Sequence, residues 1–442
     1  MNKHLVSVIL TAQLLLSACQ QPADQRSTPT RNQVTQTNTR VALTNTRVVP
    51  TNTHVVPTNT HIAPTNTRVA RTQLWYLDRI HAPELQEQGM SPVRVAIIDT
   101  GIDTTHPDLA HQIINTINIF GTSTMTDIQG HGTHTAGIIA AKPNPQTQTR
   151  GICPTCQIIA IKAINDDGYG SDVTVAQGID DAITAGAKVI NLSIGSVNDA
   201  PVIKAAIERA LAADINVVAA AGNNDKSPGK VVFPAAYPGV ISVTAIDKNN
   251  AIAPFAQNNP GIDIVAPGIE ILSTSPFGNG YSIEQGTSTA APQVTATVAL
   301  IRALRPDFSA QQTQELLLAH TMDLGDPGYD TTFGHGLLHV DNVIKAAQQP
   351  DVLQRGQIRG RIISADTLSI TLEINQQPLP IDPNNQFMYT NLTAGRHTLD
   401  IMYANQRIPV TFDVSGIGLF VTDINIWVRN GTITPEVREQ LP

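Results

Sequence analysis

The chain has 442 residues, 41% of them hydrophobic and 4% aromatic, with a net charge of −8. That is long enough for more than one folded core and too mixed in composition for a fibrous or wholly disordered protein. Residues 1–72 carry a net +6, which leaves −14 on residues 73–442, and so acidic a body argues against a nucleic-acid partner.

The N-terminus reads as an export signal. Lys3 precedes the apolar run LVSVILTAQLLLSA, which is shorter than a bilayer span and has the length of a signal-peptide core. The run ends in LSAC, Leu16 to Cys19, which resembles the lipobox of bacterial lipoproteins. The resemblance implies a signal peptide over 1–18, lipidation of Cys19 and a lipid-bilayer partner. With Gln20 next, it also implies the outer membrane, on its periplasmic or cell-surface face. The plainer alternative is an ordinary signal peptide.

From Thr37 a seven-residue unit occurs five times: TNTRVAL, TNTRVVP, TNTHVVP, TNTHIAP and TNTRVAR. Three units end in proline and their apolar residues are adjacent, so neither a continuous helix nor a coiled-coil seam is expected. Thr, Asn and Pro at this density predict an extended low-complexity tether over 19–72, with arginines attracted to anionic head groups. A repeat that binds a partner is the alternative.

Folded structure is expected from Leu74 onward. VRVAIID, 93–99, reads as a strand buried on both faces. CQIIAIKAI, AKVINLSIG and INVVAAAGN read as further strands, and DVTVAQGIDDAITAG and PVIKAAIERALAAD as helices between them. This alternation predicts a doubly wound α/β fold with a mostly parallel sheet and a site at the strands' carboxyl ends. Asp99, Ser193 to Gly195 and Asn223 all fall at such ends. QGHGTHTAG, 129–137, holds two histidines three positions apart, a pattern open to a metal pair or to a catalytic base with a neighbour. In EQGTSTAAPQVTATVALIRAL, Ser288 stands at the mouth of a long helix, where unpaired amides favour negative charge. Pro292 is expected in or beside that helix's first turn, where a missing N–H costs little.

VAIIDTGIDTTHPDL, GHGTHTAG, NLSIG, AAAGN and GTSTAAP, in this order, resemble the subtilisin-like serine peptidases over residues 73–348. The resemblance implies a serine endopeptidase acting on protein or peptide substrates. In it Ser288 is the nucleophile, His131 the general base, Asp99 the residue that orients the base, and Asn223 an oxyanion donor. Ser193, Ile194 and Gly195 match the segment that pairs with extended substrate. Val232 matches a position that is glycine in the family, at the base of the pocket for the side chain preceding the cleaved bond. His134 matches a histidine outside the triad, and a metalloprotease would also want a glutamate between the two histidines. Asp103 reads as a turn or cap residue. A peptide ligase or cyclase on the same acyl-enzyme, or a non-catalytic binding lipoprotein, are the alternative functions.

The chain also departs from the family. No folded pro-domain is visible between the signal and Leu74. The loop AKPNPQTQTRG, where relatives often bind calcium, has no acidic residue, so no metal and no other cofactor is expected, with calcium there as the alternative. Cys153 and Cys156, in CPTC, are expected to form a small disulfide, the alternatives being thiol exchange or a metal site lacking two ligands. After Gln349 six period-two runs separated by turn residues predict an accessory β-sandwich over 350–442. NNQFMYTNLTAGRHTLDI within it resembles transthyretin-like or carboxypeptidase-regulatory modules, which implies stabilisation or a protein partner.

Overall fold

The computed structural model describes residues 49–50, 74–83 and 90–349 (apart from 122–123, 148, 224–228, 279 and 327). Beyond these it describes 356–364, 370–381, 385–392, 395–403, 406–414, 421–429 and 432–440. The expected signal peptide, Cys19 and all of the repeat segment except 49–50 lie outside the described residues.

In chain order the elements are β1 (Val49–Pro50), α1 (Trp75–Arg79), β2 (Arg94–Asp99), β3 (Ile113–Asn118) and α2 (His131–Ala140). Next come β4 (Gln157–Lys162), α3 (Asp172–Thr184), β5 (Val189–Leu192), β6 (Ile194–Gly195), α4 (Pro201–Ala212) and β7 (Asn216–Ala220). Then follow β8 (Val240–Ile246), β9 (Ile264–Pro267), β10 (Ile271–Thr274), β11 (Tyr281–Glu284), α5 (Thr287–Leu304), α6 (Ala310–Ala319) and α7 (Val340–Ala347).

Seven strands form one sheet in the order β3-β4-β2-β5-β7-β8-β9, and every pair is parallel. The expected α/β arrangement is therefore present. β2 shows why its sequence is apolar throughout: Val95 and Ile97 enter one core, while Ala96 and Ile98 enter the core on the opposite face. The chain first builds outward from β2 on one side, through β4 and β3, and then crosses to β5 on the other. The switch between β2 and β5 opens a crevice at their carboxyl ends, where Asp99 and Ser193 lie.

α5 is buried from Thr287 to Ala303, and two of its polar side chains are tied to the sheet. Thr295 Oγ1 donates to Asn191 Oδ1 at 2.8 Å, and Gln293 Nε2 donates to the Pro267 carbonyl at 2.6 Å. Pro292 corrects the expectation for it: it is the sixth residue of α5, in the interior rather than the first turn. A residue there would normally donate its N–H to the Ser288 carbonyl four residues back. Ser193 Oγ takes that place, donating to the Ser288 carbonyl at 2.9 Å. The proline thus frees an acceptor that ties the end of β5 to the start of α5.

Among the described residues the C-terminal region holds eight strands. They are β12 (Gly356–Ser364), β13 (Ile370–Ile374), β14 (Gln377–Leu379), β15 (Gln386–Leu392), β16 (Gly395–Tyr403), β17 (Gln406–Val414), β18 (Val421–Arg429) and β19 (Thr432–Gln440). Two four-stranded sheets, β15-β12-β18-β19 and β14-β13-β16-β17, share one core, with Ile358, Ile424 and Ile426 from the first meeting Leu372, Leu399 and Ile401 from the second. All pairings are antiparallel except β12 with β18. The count differs from the six runs read in the sequence because LSITLEIN continues through a turn into β14, and because β19 contains Pro435. That proline is tolerated because β19 is an edge strand.

Candidate active site

β2 ends in Asp99, which is 1% exposed. Its Oδ1 accepts the Thr100 backbone N–H at 2.7 Å and the His131 Nδ1–H at 2.7 Å. His131 is the first residue of α2, and the close approach of α2 to β2 depends on Gly132. A Cβ there would collide with the Gly101 carbonyl and come within 3.2 Å of the Asp99 Cβ. With Nδ1 committed to Asp99, Nε2 is the ring atom left to accept a proton, and it is buried without a hydrogen-bond partner.

Burial pulls the His131 pKa down, but the adjacent Asp99 charge and hydrogen bond, with Glu284 and Asp127 adding to them, outweigh it and raise the value to about 9. His134, one turn on, has a different role. It is buried, its Nε2 meets the Ile271 carbonyl at 3.0 Å, and burial lowers its pKa. It braces α2 against β10.

Two residues that the sequence reading did not single out hold this corner together. Asp127 is 2% exposed and accepts four hydrogen bonds. Oδ1 takes Thr100 Oγ1 at 2.7 Å and the Gly130 N–H at 2.9 Å, and Oδ2 takes the Thr133 N–H at 2.8 Å and Thr133 Oγ1 at 2.7 Å. A carboxylate at the start of α2 therefore caps a helix whose own N-cap, Gly130, has no side chain, and it also grips the residue after Asp99. Thr100 completes the link, its Oγ1 accepting the Gly132 N–H at 3.0 Å. The only local signal was an acidic residue four positions before His131.

Ser288 is the second residue of α5, where a helix amide has no intrahelical acceptor. Its Oγ is buried and has no hydrogen-bond partner. Asn223 follows β7, and its Oδ1 accepts from the Thr287 N–H and Thr287 Oγ1, both at 3.2 Å. That fixes the amide so that Nδ2, also buried and without a partner, is turned away from Thr287. Thr287 Oγ1 in turn accepts the Gly222 N–H at 3.1 Å. Thr287, immediately before Ser288, is thus the clamp between α5 and the end of β7.

The remaining expected positions fall around this centre. Ser193 Oγ joins Asn191 Nδ2, at 2.9 Å, to the Ser288 carbonyl, and Ile194 and Gly195 form β6. Ser196, next in the chain, exchanges two 2.8 Å backbone hydrogen bonds with Phe233. Val232 is 6% exposed and packs on Gly222, where a Cβ would lie 2.7 Å from Val232 Cγ2; with φ +98° as well, that position requires glycine. Asp103 Oδ1 accepts from Thr105 N–H at 2.8 Å and Thr105 Oγ1 at 2.7 Å, a turn contact. Cys153 and Cys156 are joined by a disulfide just before β4. Among the described residues, no group of three or more His, Cys, Asp or Glu side chains is placed to hold a metal ion.

An imidazole oriented by a buried carboxylate, a serine hydroxyl at a helix mouth and a preset amide donor are the means of acyl transfer through a serine. The fold and the site define a serine hydrolase. Residues 91–336 match the subtilase family model. Subtilisin DY of Bacillus licheniformis is 38% identical over 267 residues, 59% of this chain and 95% of the relative. Subtilisin Savinase of Lederbergia lenta is 36% identical over 276 residues, covering 60% and 97% respectively. The alkaline elastase YaB of Bacillus sp. (strain YaB) is 37% identical over 273 residues, covering 61% and 70%. The chain belongs to the subtilase family and is a subtilisin-like serine endopeptidase.

Proposed function

We propose that this endopeptidase is a membrane-tethered, exported enzyme that cuts after small aliphatic residues through Ser288, His131, Asp99 and Asn223. The observation that carries the catalytic assignment is that Ser288 Oγ, His131 Nε2 and Asn223 Nδ2 are all buried and all without a hydrogen-bond partner. Leaving three such groups unpaired is costly in a core but apt where a reacting carbonyl will satisfy them. Ser288 Oγ attacks the scissile carbonyl as its proton passes to His131 Nε2. Asp99 holds the tautomer and stabilises the imidazolium. The developing oxyanion is met by Asn223 Nδ2 and the Ser288 N–H. His131 returns the proton to the leaving amine, and water then hydrolyses the acyl-enzyme.

The specificity reading rests on Val232. Its methyl groups pack against Gly222, beside Asn223, and take up space that a glycine would leave open. Forcing a large side chain past them costs about 1–3 kcal/mol, or roughly five- to 150-fold in rate. A peptide library should show alanine and valine favoured over phenylalanine and tyrosine, with Val232→Gly shifting the ratio toward aromatics. A wild type that already favours aromatics would dismiss the assignment.

The anchor reading rests on LSAC and on the cationic repeat segment. Among the described residues no helix is long and apolar enough to cross a membrane. Cys19→Ser is expected to move the protein out of the membrane fraction or leave its signal uncleaved; unchanged behaviour would rule the anchor out. Metal independence is supported by the loop 142–150, which hangs on protein donors. Asp108 accepts from Tyr281 OH at 2.6 Å and from Asn144 Nδ2 at 3.0 and 3.2 Å, so a cation there would have to displace them. A chelator is expected to leave both activity and melting temperature unchanged.

A further inference from the structure

The acyl half of a substrate is assigned above to β6 and to the pocket beside Val232. The leaving half has its own side of the site. His131 Nε2 must hand its proton to the leaving amine and so has to stand within hydrogen-bond reach of it. Groups that surround His131 on that side therefore meet the residues that follow the cleaved bond.

The hairpin of β10 and β11 packs there. Ser273 Oγ donates to the His134 carbonyl at 2.8 Å, and the Ile271 carbonyl meets His134 Nε2 at 3.0 Å, which fixes β10 against α2. In the antiparallel register Ser282 lies opposite Ser273, and Glu284 opposite Ile271. Residues that are opposite or two apart share a face of such a ribbon, so Glu284 stands on the face turned to α2. Its Oε1 accepts from Ser282 Oγ at 3.3 Å on that same face. The Glu284 charge reaches both His131 and His134, favouring the protonated ring in each against the effect of burial. Four residues lead from Glu284 to Ser288, at most about 14 Å of chain.

The same hairpin supplies an apolar surface. Phe277, in the connection between β10 and β11, is exposed, and its ring lies over Gly130, the residue before His131, where a Cβ would come within 2.7 Å of Phe277 Cε2. Asp99 and Asp127, the other carboxylates around His131, are buried and held by protein donors. Glu284 is only half-buried, so a bound peptide can reach it.

We infer that Glu284 is a specificity-determining residue on the leaving-group side, selecting lysine or arginine as the first or second residue after the cleaved bond. A long aliphatic stem ending in a cation matches an exposed ring followed by a carboxylate, the stem lying along Phe277 and the head meeting Glu284. An acidic side chain in that position is repelled by the same charge. The inference rests on the endopeptidase reading above and adds to it a substrate class, with a small aliphatic residue before the bond and a basic one after it.

The test uses the full chain and quenched peptides identical in their acyl half, with lysine, arginine, leucine or glutamate placed in turn at the first and second positions after the bond. At one of these positions kcat/KM for lysine and arginine should exceed that for leucine by about fivefold, the upper end of what a surface ion pair supplies, and glutamate should fall below leucine by a similar factor. Salt at about 0.5 M should shrink both differences in wild type, a readout that needs no variant. Glu284→Gln should bring lysine and glutamate within about twofold of leucine, and Glu284→Lys should reverse their order. Ratios taken at one pH cancel any effect of these substitutions on His131. Equal rates for lysine, leucine and glutamate at both positions in wild type, or a lysine preference that survives Glu284→Gln or high salt, overturn the inference and leave the endopeptidase reading standing. A wild type that cleaves none of the peptides overturns both.

Discussion

The parallel sheet of residues 94–267 and the paired sheets of 356–440 handle buried polar groups in opposite ways. In the C-terminal sheets they are matched. Asp400, 1% exposed, receives Arg407 Nε at 2.8 Å and Nη2 at 2.7 Å, and His397 Nδ1 meets Asn375 Nδ2 at 2.8 Å. Among the described residues, no buried side-chain atom of 356–440 lacks a hydrogen-bond partner. Around the parallel sheet, Ser288 Oγ, His131 Nε2 and Asn223 Nδ2 do, although neighbouring groups such as Asp127 are fully engaged. Packing and hydrogen bonding here hold His131 and Asn223 in place while these three atoms stay unpaired, as do a few others around the sheet such as Gln112 Oε1, Asn216 Oδ1 and Gln293 Oε1. The first region is built to react, the second to persist.

The comparison can be broken first at Asp99. Asp99→Asn keeps the shape of the corner but favours the wrong imidazole tautomer, so kcat should fall by about 10⁴, the scale of the equivalent change in a trypsin-type triad. A loss under tenfold would mean that the carboxylate does not orient the base. Asn223→Ala comes next, with an expected loss in kcat of about 10²–10³ and little change in KM, the magnitude known for subtilisin itself, a relative of this chain. A change confined to KM would place Asn223 in ground-state binding instead.

The pH dependence is gentler and has a definite sign. Catalysis needs neutral His131, whose pKa is raised to about 9, so kcat/KM should rise about tenfold per pH unit below that value and level off above it. Stability runs the other way. A raised folded-state pKa contributes stability that is complete below about 6.5, the unfolded value, and is lost as pH climbs through about 9. Activity that levels off near 6.5 would show that Asp99 does not hold the proton on His131.

The smallest kinetic effect belongs to the other region. Leu399 is fully buried between Ile374 and Val410, so Leu399→Ala should destabilise the C-terminal sheets by about 2–5 kcal/mol while kcat changes less than twofold. Calorimetry beside steady-state kinetics would check it. A large fall in kcat would show that the C-terminal sheets support the site.

Elements with an unbroken local signal were legible in the sequence. β2, β7, α3 and α4 lie within the runs that predicted them, because an apolar run or a 3.6-residue stripe depends on nothing distant. β19 was missed because Pro435 argues against a strand until the strand is known to be at an edge. Of the candidate site, Asp99, His131, Asn223 and Ser288 were readable from motifs, but the residues that hold them in place were not. Asp127 and Thr287 act on partners 27 and 64 residues away in the chain, Thr100 and Asn223. Pro292 was misread for the same reason: Ser193, the group that takes over its missing hydrogen bond, is almost one hundred residues upstream.

The central claim is that Ser288 Oγ is an activated nucleophile backed by His131. The most direct measurement is covalent labelling of the full chain with a fluorophosphonate, located by peptide mass spectrometry, in wild type, Ser288→Ala and His131→Ala. The account predicts a single adduct on Ser288 in wild type, none in Ser288→Ala, and labelling slowed by at least about a hundredfold in His131→Ala. Labelling that persists in Ser288→Ala, or that is equally fast without His131, would contradict it.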